Sequence, residues 1–219
     1  MKSKKITYSK IVEIRNLTES TYVLRLEKSD FEFKAGQYLV LNVPGENKAR
    51  EYSIYSSEEA PYIDLLIKEV DTGEISKELK YLKIGTKVEI TGPFGFFLLR
   101  DNEQIKHSHF TFVATGTGIA PFHSIILSNP DLNFDVIHGV RHGYEAYDSC
   151  DYPEDRYKLC TSREHGEYYG RVTHYLKEKG IKKDSIYYIC GNSGMVNDVT
   201  EILEQNGIIP ENIRTEVFF

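Results

Sequence analysis

The chain has 219 residues, 40% hydrophobic and 27% charged, which leaves room for two globular domains of about 100 residues each but not three. Its 27 Lys and Arg against 33 Asp and Glu give a formal net charge of −6, which argues against a general nucleic-acid binder, because phosphate contact favours a basic excess. The composition also carries 16 Tyr and 11 Phe with no Trp, an aromatic surplus that calls for an explanation.

The opening segment, Met1 to Tyr8, has positive charge but no apolar run behind it, so no secretory signal is expected. The most apolar short run, Phe94 to Leu99, falls far below a membrane span. The first hundred residues read as strands. Tyr22, Leu24 and Leu26 alternate with Val23, Arg25 and Glu27, and Ile63, Leu65 and Ile67 form a second alternating set. Val88 and Ile90 alternate with Lys87, Glu89 and Thr91. Turn signals at Lys34-Ala35-Gly36, Pro44-Gly45, Asp71-Thr72-Gly73, Ile84-Gly85 and Gly92-Pro93 separate the runs. This spacing predicts a closed or nearly closed antiparallel barrel over residues 1–100.

A polar stretch from Arg100 to His107 marks a change of period. Strands are predicted at Phe110–Ala114, Phe134–Gly139, Tyr157–Thr161, Ile186–Cys190 and Asn212–Phe219. Helices are predicted at Pro121–Ser128, around Val172, Tyr175 and Leu176, and at Ser193–Gln205. Alternation of this kind predicts a parallel sheet flanked by helices over residues 108–219. The fold class is therefore a two-domain β plus α/β chain, an antiparallel barrel followed by a parallel-sheet domain. Cys150, Cys160 and Cys190 include no C-x-x-C, which disfavours a zinc ribbon or a cysteine-ligated cluster and fits a reducing, cytoplasmic setting.

Three segments carry chemistry. Thr115-Gly116-Thr117-Gly118-Ile119-Ala120-Pro121 follows a strand and opens a helix. Its glycines allow close backbone approach, and Pro121 costs no hydrogen bond at a helix start. Such a turn can receive a pyrophosphate, or serve only as a strand–helix turn. Cys190-Gly191-Asn192-Ser193-Gly194-Met195 repeats the arrangement at another strand end, where ligands of open parallel sheets bind. Cys190 by itself reads equally well as a small buried residue. In Arg50-Glu51-Tyr52-Ser53, alternation sends Arg50 and Tyr52 to one side, a pairing suited to an aromatic cofactor bearing phosphate and equally to an ordinary surface strand.

Taken in order, Gly36-Gln37-Tyr38, Arg50–Ser53, Gly73-Glu74-Ile75-Ser76, Gly92-Pro93-Phe94-Gly95, Gly116–Pro121, Cys190–Met195 and the aromatic end resemble the ferredoxin–NADP reductase-like flavoprotein family over nearly the whole chain. The resemblance implies a flavin-binding barrel and a nicotinamide-nucleotide domain. It implies that Arg50 holds the flavin phosphate, that Tyr52 stacks on the isoalloxazine and that Ser53 lies near N5. Gly73 to Ser76 would meet the pyrophosphate, which fits FAD better than FMN. Gly116, Thr117, Gly118, Pro121, Gly191 and Met195 would frame the nucleotide site, with Thr117 and Cys190 bordering the nicotinamide. Phe218 or Phe219 would cover the flavin, and Glu216 resembles a carboxylate linked to proton and electron transfer; a solvated strand-end glutamate is the alternative.

Arg141, Ser162, Arg163 and Arg171 follow the second and third strands of the parallel sheet and the next helix start. Similar arginines in the bacterial branch of the family are associated with the 2′-phosphate, so NADP is expected over NAD, with Asp148 and Glu164 nearby as complications. The His107/His109 and His138/His142 pairs lack a third ligand at suitable spacing, so no metal site is expected. The implied activity is an FAD-dependent oxidoreductase that moves hydride from NADPH to flavin N5 and then single electrons to a separate ferredoxin or flavodoxin. A reductase of free flavin, or a flavin-bearing subunit of a larger complex, are the competing readings.

Overall fold

The computed structural model of the protein describes residues 6–43, 49–70, 74–99 and 107–218. They fall into two units, one within Met1–Leu98 and Ala120–Pro130, the other within Leu99–Ile119 and Asp131–Phe219.

The alternating apolar residues of the first unit make six antiparallel strands: β1 (Ile6–Asn16), β2 (Thr21–Glu27), β3 (Tyr38–Asn42), β4 (Ala49–Ser53), β5 (Tyr62–Lys68) and β6 (Lys87–Phe94). Their order is β4-β3-β6-β1-β2-β5. The two ends of that order meet where Ile54 bridges Leu65 and the Tyr55 amide donates to the Asp64 carbonyl at 2.8 Å, so the sheet closes into a barrel. Ile11, Leu24, Leu39, Leu41, Leu65, Val88 and Ile90 fill it. A short helix, α1 (Glu74–Lys80), buries Ile75 and Leu79 in the same core.

Simple alternation fails on β2. Val23 is only 1% exposed although it points away from the barrel core, opposite the equally outward Leu66 of β5. That face also carries Arg25, bidentate on Asp64 at 2.8 Å, bonded to Glu13 at 2.9 Å and stacked 3.6 Å over the Tyr62 ring.

The second unit is a parallel sheet of β7 (His109–Thr115), β8 (Phe134–Val140), β9 (Tyr157–Thr161), β10 (Tyr168–Tyr169), β11 (Ser185–Gly191) and β12 (Ile213–Val217). Its order is β10-β9-β8-β7-β11-β12. The chain steps outward from β7 to β9, then returns to the far side of β7, so the order reverses between β7 and β11. Helices α3 (Val172–Lys179) and α4 (Ser193–Gln205) bury Val172, Leu176, Val196, Val199 and Leu203 against Val113, Ile137 and Ile189 of the sheet. Asn192 caps α4 by accepting the Met195 amide at 3.0 Å.

Helix α2 (Ala120–Ser128), which its place in the chain assigns to residues 108–219, packs with the first unit. Its polar side chains explain why. Ser124 Oγ donates to the Ser56 carbonyl at 2.6 Å, the His123 ring stacks on Tyr55 with centroids 3.8 Å apart, and His123 Nδ1 reaches the Tyr55 carbonyl at 2.8 Å.

Gly36 lies at φ +93°, and a Cβ there would stand 2.1 Å from the Phe97 carbonyl oxygen. Gly36→Ala is expected to cost about 2 kcal/mol or more in urea unfolding, because both the backbone conformation and the space oppose it; an unchanged midpoint contradicts this. His138 of β8 is fully buried, and burial lowers its pKa to about 4. Between the ordinary imidazole value near 6.5 and about 4, the unfolded chain binds more protons than the folded one. Stability on this account falls as pH drops through that window, by about 3 kcal/mol in all. Unfolding curves of wild type and His138→Gln should therefore diverge below about pH 6.5; parallel curves contradict the assignment.

Candidate functional site

On β4 the register with β3 sets the directions. Arg50 lies opposite Leu41 and Tyr52 opposite Leu39, so both share the face of the two core leucines. Tyr52 packs against the barrel core, and burial raises its hydroxyl to about 12 despite the opposing pull of Arg50. Arg50 is exposed at the strand's outer end. Its guanidinium donates to the Ala49 carbonyl at 2.9 Å and, among the described residues, meets no carboxylate. Ser53, 8% exposed, sits on the other face opposite Tyr38. This half thus offers a half-buried aromatic ring beside an uncompensated cation, a donor set that suits a flavin phosphate.

Ser76 is placed differently from a free phosphate ligand. It is buried; its hydroxyl accepts the Val70 amide at 3.2 Å and its carbonyl accepts from Tyr22 Oη at 2.6 Å. Those bonds fasten the first turn of α1 to the barrel. Gly73 lies outside the described residues, as does Phe219.

At the reversal of strand order, the two glycine turns of the second unit abut. A Cβ on Gly118 would fall 2.4 Å from the Cys190 carbonyl oxygen. One on Gly191, at φ +151°, would fall 2.2 Å from Thr115 Oγ1 and 2.8 Å from Met195 Cε. Asn192 Nδ2 donates to Thr115 Oγ1 at 3.3 Å. The two turns therefore pack directly on each other at the carboxyl ends of β7 and β11, with room for a side chain at neither glycine, and they lie at the position at which open α/β sheets bind ligands. Pro121, buried in the first turn of α2, follows directly.

Cys190 is fully buried. Burial, followed by the nearby Glu216 carboxylate, pushes its thiol well above the usual range, so it is a neutral thiol and not a thiolate nucleophile. Glu216 lies opposite Cys190 in the β11–β12 register, and the Phe218 amide donates to the Gly191 carbonyl at 2.8 Å. Cys190, Gly191, Glu216 and the Phe218 backbone are thereby brought to one strand end.

The ends of β8, β9 and β10 are sewn together. Ser162 N and Oγ donate to the Val140 carbonyl at 3.0 and 3.2 Å, Arg163 N to the Arg141 carbonyl at 3.0 Å, and Gly170 N to the Thr161 carbonyl at 2.8 Å. Arg141, Ser162, Arg163 and Arg171 are all exposed there, and among the described residues none of the three arginines is in an ion pair. The acids beside them are committed elsewhere. Glu145 Oε2 accepts the Arg141 and His142 amides at 2.9 and 3.1 Å, and Glu164 accepts the Gly143 amide and faces His142 Nδ1 at 3.4 Å.

Two residues of this region escape sequence reasoning. Glu145 gives no local signal, since its partners are backbone amides. His138, considered above only as a metal ligand, bonds Tyr157 Oη at 2.7 Å and the Gly116 carbonyl at 2.9 Å. Its signal is a ring with two polar nitrogens inside an apolar strand run, which requires partners for both.

Residues 8–98 match the oxidoreductase FAD-binding domain and residues 112–201 the oxidoreductase NAD-binding domain. The chain is 30% identical over 218 residues to the flavodoxin/ferredoxin–NADP reductase of Shigella flexneri, covering 86% of each protein. It is also 30% identical over 226 residues to the toluate 1,2-dioxygenase electron transfer component of Pseudomonas putida, covering 95% of this chain and 66% of that protein's length. The fold superposes on a ferredoxin NADP+ reductase from Neisseria gonorrhoeae, solved with bound FAD and NADP, with a TM-score of 0.87 at 23% identity over 98% of this chain and 99% of that one. The chain therefore belongs to the flavodoxin/ferredoxin–NADP reductase family of oxidoreductases.

Proposed function

We propose that the chain uses FAD and NADPH, taking electrons from the nicotinamide nucleotide and passing them singly to a separate carrier protein such as a ferredoxin or flavodoxin. The observation that carries the proposal is the pairing of two glycine turns at the carboxyl ends of β7 and β11, where the strand order reverses, the place at which open α/β sheets bind dinucleotides. When bound, the flavin supplies the ability to accept a hydride and release electrons one at a time. The protein supplies position. Arg50 neutralises the flavin phosphate, Tyr52 gives the isoalloxazine a rigid aromatic platform and Ser53 offers a hydroxyl near N5. Gly73 and Ser76 line the pyrophosphate side through backbone groups. Cys190, a neutral thiol, borders the nicotinamide site, with Thr117, Glu216 and a terminal phenylalanine, Phe218 or Phe219, beside it.

The preference for NADPH rests on Arg141, Ser162, Arg163 and Arg171. Three exposed arginines that, among the described residues, are in no ion pair lie on adjoining strand and helix ends and suit a 2′-phosphate, and Glu145 and Glu164 beside them accept backbone amides. The names of the relatives support a protein acceptor. A second reading, an electron-transfer component of an oxygenase system, draws support from the identity to the toluate dioxygenase component. The free, sparse cysteines suit a reducing cytoplasm, and among the described residues no helix is long and apolar enough to cross a membrane.

Arg163→Ala is expected to raise KM for NADPH by about tenfold or more and KM for NADH by less than about twofold, because a guanidinium–phosphate contact exists only with NADPH. Equal effects on both cofactors contradict the assignment. Purified protein should carry about one FAD per chain, and Arg50→Ala combined with Tyr52→Ala should lose most of it. A colourless wild-type protein that reduces added flavin identifies a free-flavin reductase instead.

A further inference from the structure

We propose that His138 is a positioning residue for the nicotinamide dinucleotide: it fixes the orientation of the Gly116–Thr117 peptide and so aims the Thr117 amide at the ligand. The inference rests on the proposed placement of the dinucleotide against the Thr115–Gly118 turn.

The hydrogen bonds leave one arrangement. His138 Nε2 lies 2.9 Å from the Gly116 carbonyl oxygen, which can only accept, so Nε2 carries the proton. Nδ1 is then a bare acceptor and takes the hydroxyl proton of Tyr157 at 2.7 Å. Tyr157 is in turn stacked on Tyr152, with centroids 5.1 Å apart and planes 10° from parallel, and cannot turn away freely. A neutral ring in a single tautomer is locked beneath the turn, consistent with the burial that disfavours its protonation.

The consequence for the turn follows from peptide geometry. A trans peptide points its C=O and N–H in opposite directions. Drawing the Gly116 carbonyl down onto His138 therefore turns the Thr117 N–H up, away from the sheet. Gly116 has φ +54°, and a Cβ built on it would meet nothing within 4 Å, so this side of the turn opens onto free space. Glycine makes the left-handed conformation cheap, but it also makes the alternative orientation of the following peptide cheap. The imidazole supplies the preference that glycine lacks.

The test compares His138→Leu, His138→Gln and Thr117→Pro in the FAD-loaded protein, with flavin content and thermal unfolding measured alongside. His138→Leu should raise KM for both NADPH and NADH about five- to tenfold while kcat changes less than about twofold. His138→Gln, whose side-chain amide can donate to the same carbonyl, should bring KM most of the way back. Thr117→Pro deletes the amide and should raise KM for both cofactors. If Thr117→Pro leaves KM unchanged, the dinucleotide does not use this turn and the proposed placement fails. If Thr117→Pro raises KM but His138→Leu does not, or Gln fails to restore it, the placement stands and the role of His138 is overturned. Should His138→Leu not fold, Tyr157→Phe decides: imidazole nitrogen NMR should show the Nε2–H tautomer alone in wild type and a mixture in the variant, with a smaller rise in KM. An Nδ1–H tautomer in wild type overturns the proposal.

Discussion

At the carboxyl ends of β7 and β11 two turns approach so closely that neither accepts a side chain. Gly118 meets the Cys190 carbonyl, and Gly191 meets Thr115 and Met195. This contact is the constraint around which the second unit is arranged. The reversal of strand order puts β7 and β11 side by side, the glycines allow their ends to converge, and the cap at Asn192 starts α4 at that point. A side chain at either glycine would force the two strand ends apart.

The polar groups singled out divide into exposed ones and buried ones bonded to backbone. Arg50, Arg141, Arg163 and Arg171 are exposed and outside ion pairs among the described residues, which leaves their charge available. Glu145, His138 and Ser76 are buried, and each is bonded to backbone. A buried polar group tied to a main-chain partner restricts conformation at a position where packing alone does not. The raised thiol of Cys190 and the lowered imidazole of His138 share one cause, burial, and both keep the neutral form where a charge would sit badly against an apolar sheet.

Much of the fold was legible because local chemistry and tertiary need coincide. The apolar face of Val196, Val199 and Leu203 and the stop at Gly207 mark α4 at Ser193–Gln205, the span the structure shows. The alternation of Arg50 and Tyr52 on β4 is likewise as read. Where the two diverge, a distant partner decides. Val23 is buried on the outer face of β2, where it lies opposite Leu66 of β5, a residue about forty positions away in sequence. The two-residue strand β10 has no period to detect. Helix α2 goes with the first unit through Ser124 and His123, whose partners are carbonyls that no pattern announces.

The candidate site follows the same division. The residues proposed to meet a ligand, the arginines, Tyr52 and the glycines, stand out because their chemistry is specific. His138 and Glu145 do not, because their partners are peptide groups fixed only by tertiary register. The inward bond of Ser76 is hidden for the same reason. The central claim is that one chain holds a flavin and receives electrons for it from NADPH. An anaerobic absorbance titration of the purified protein tests it most directly. The account predicts that about one equivalent of NADPH bleaches a bound flavin, and that NADH requires a large excess. A protein without bound flavin, or a flavin that NADPH leaves oxidised, would contradict it.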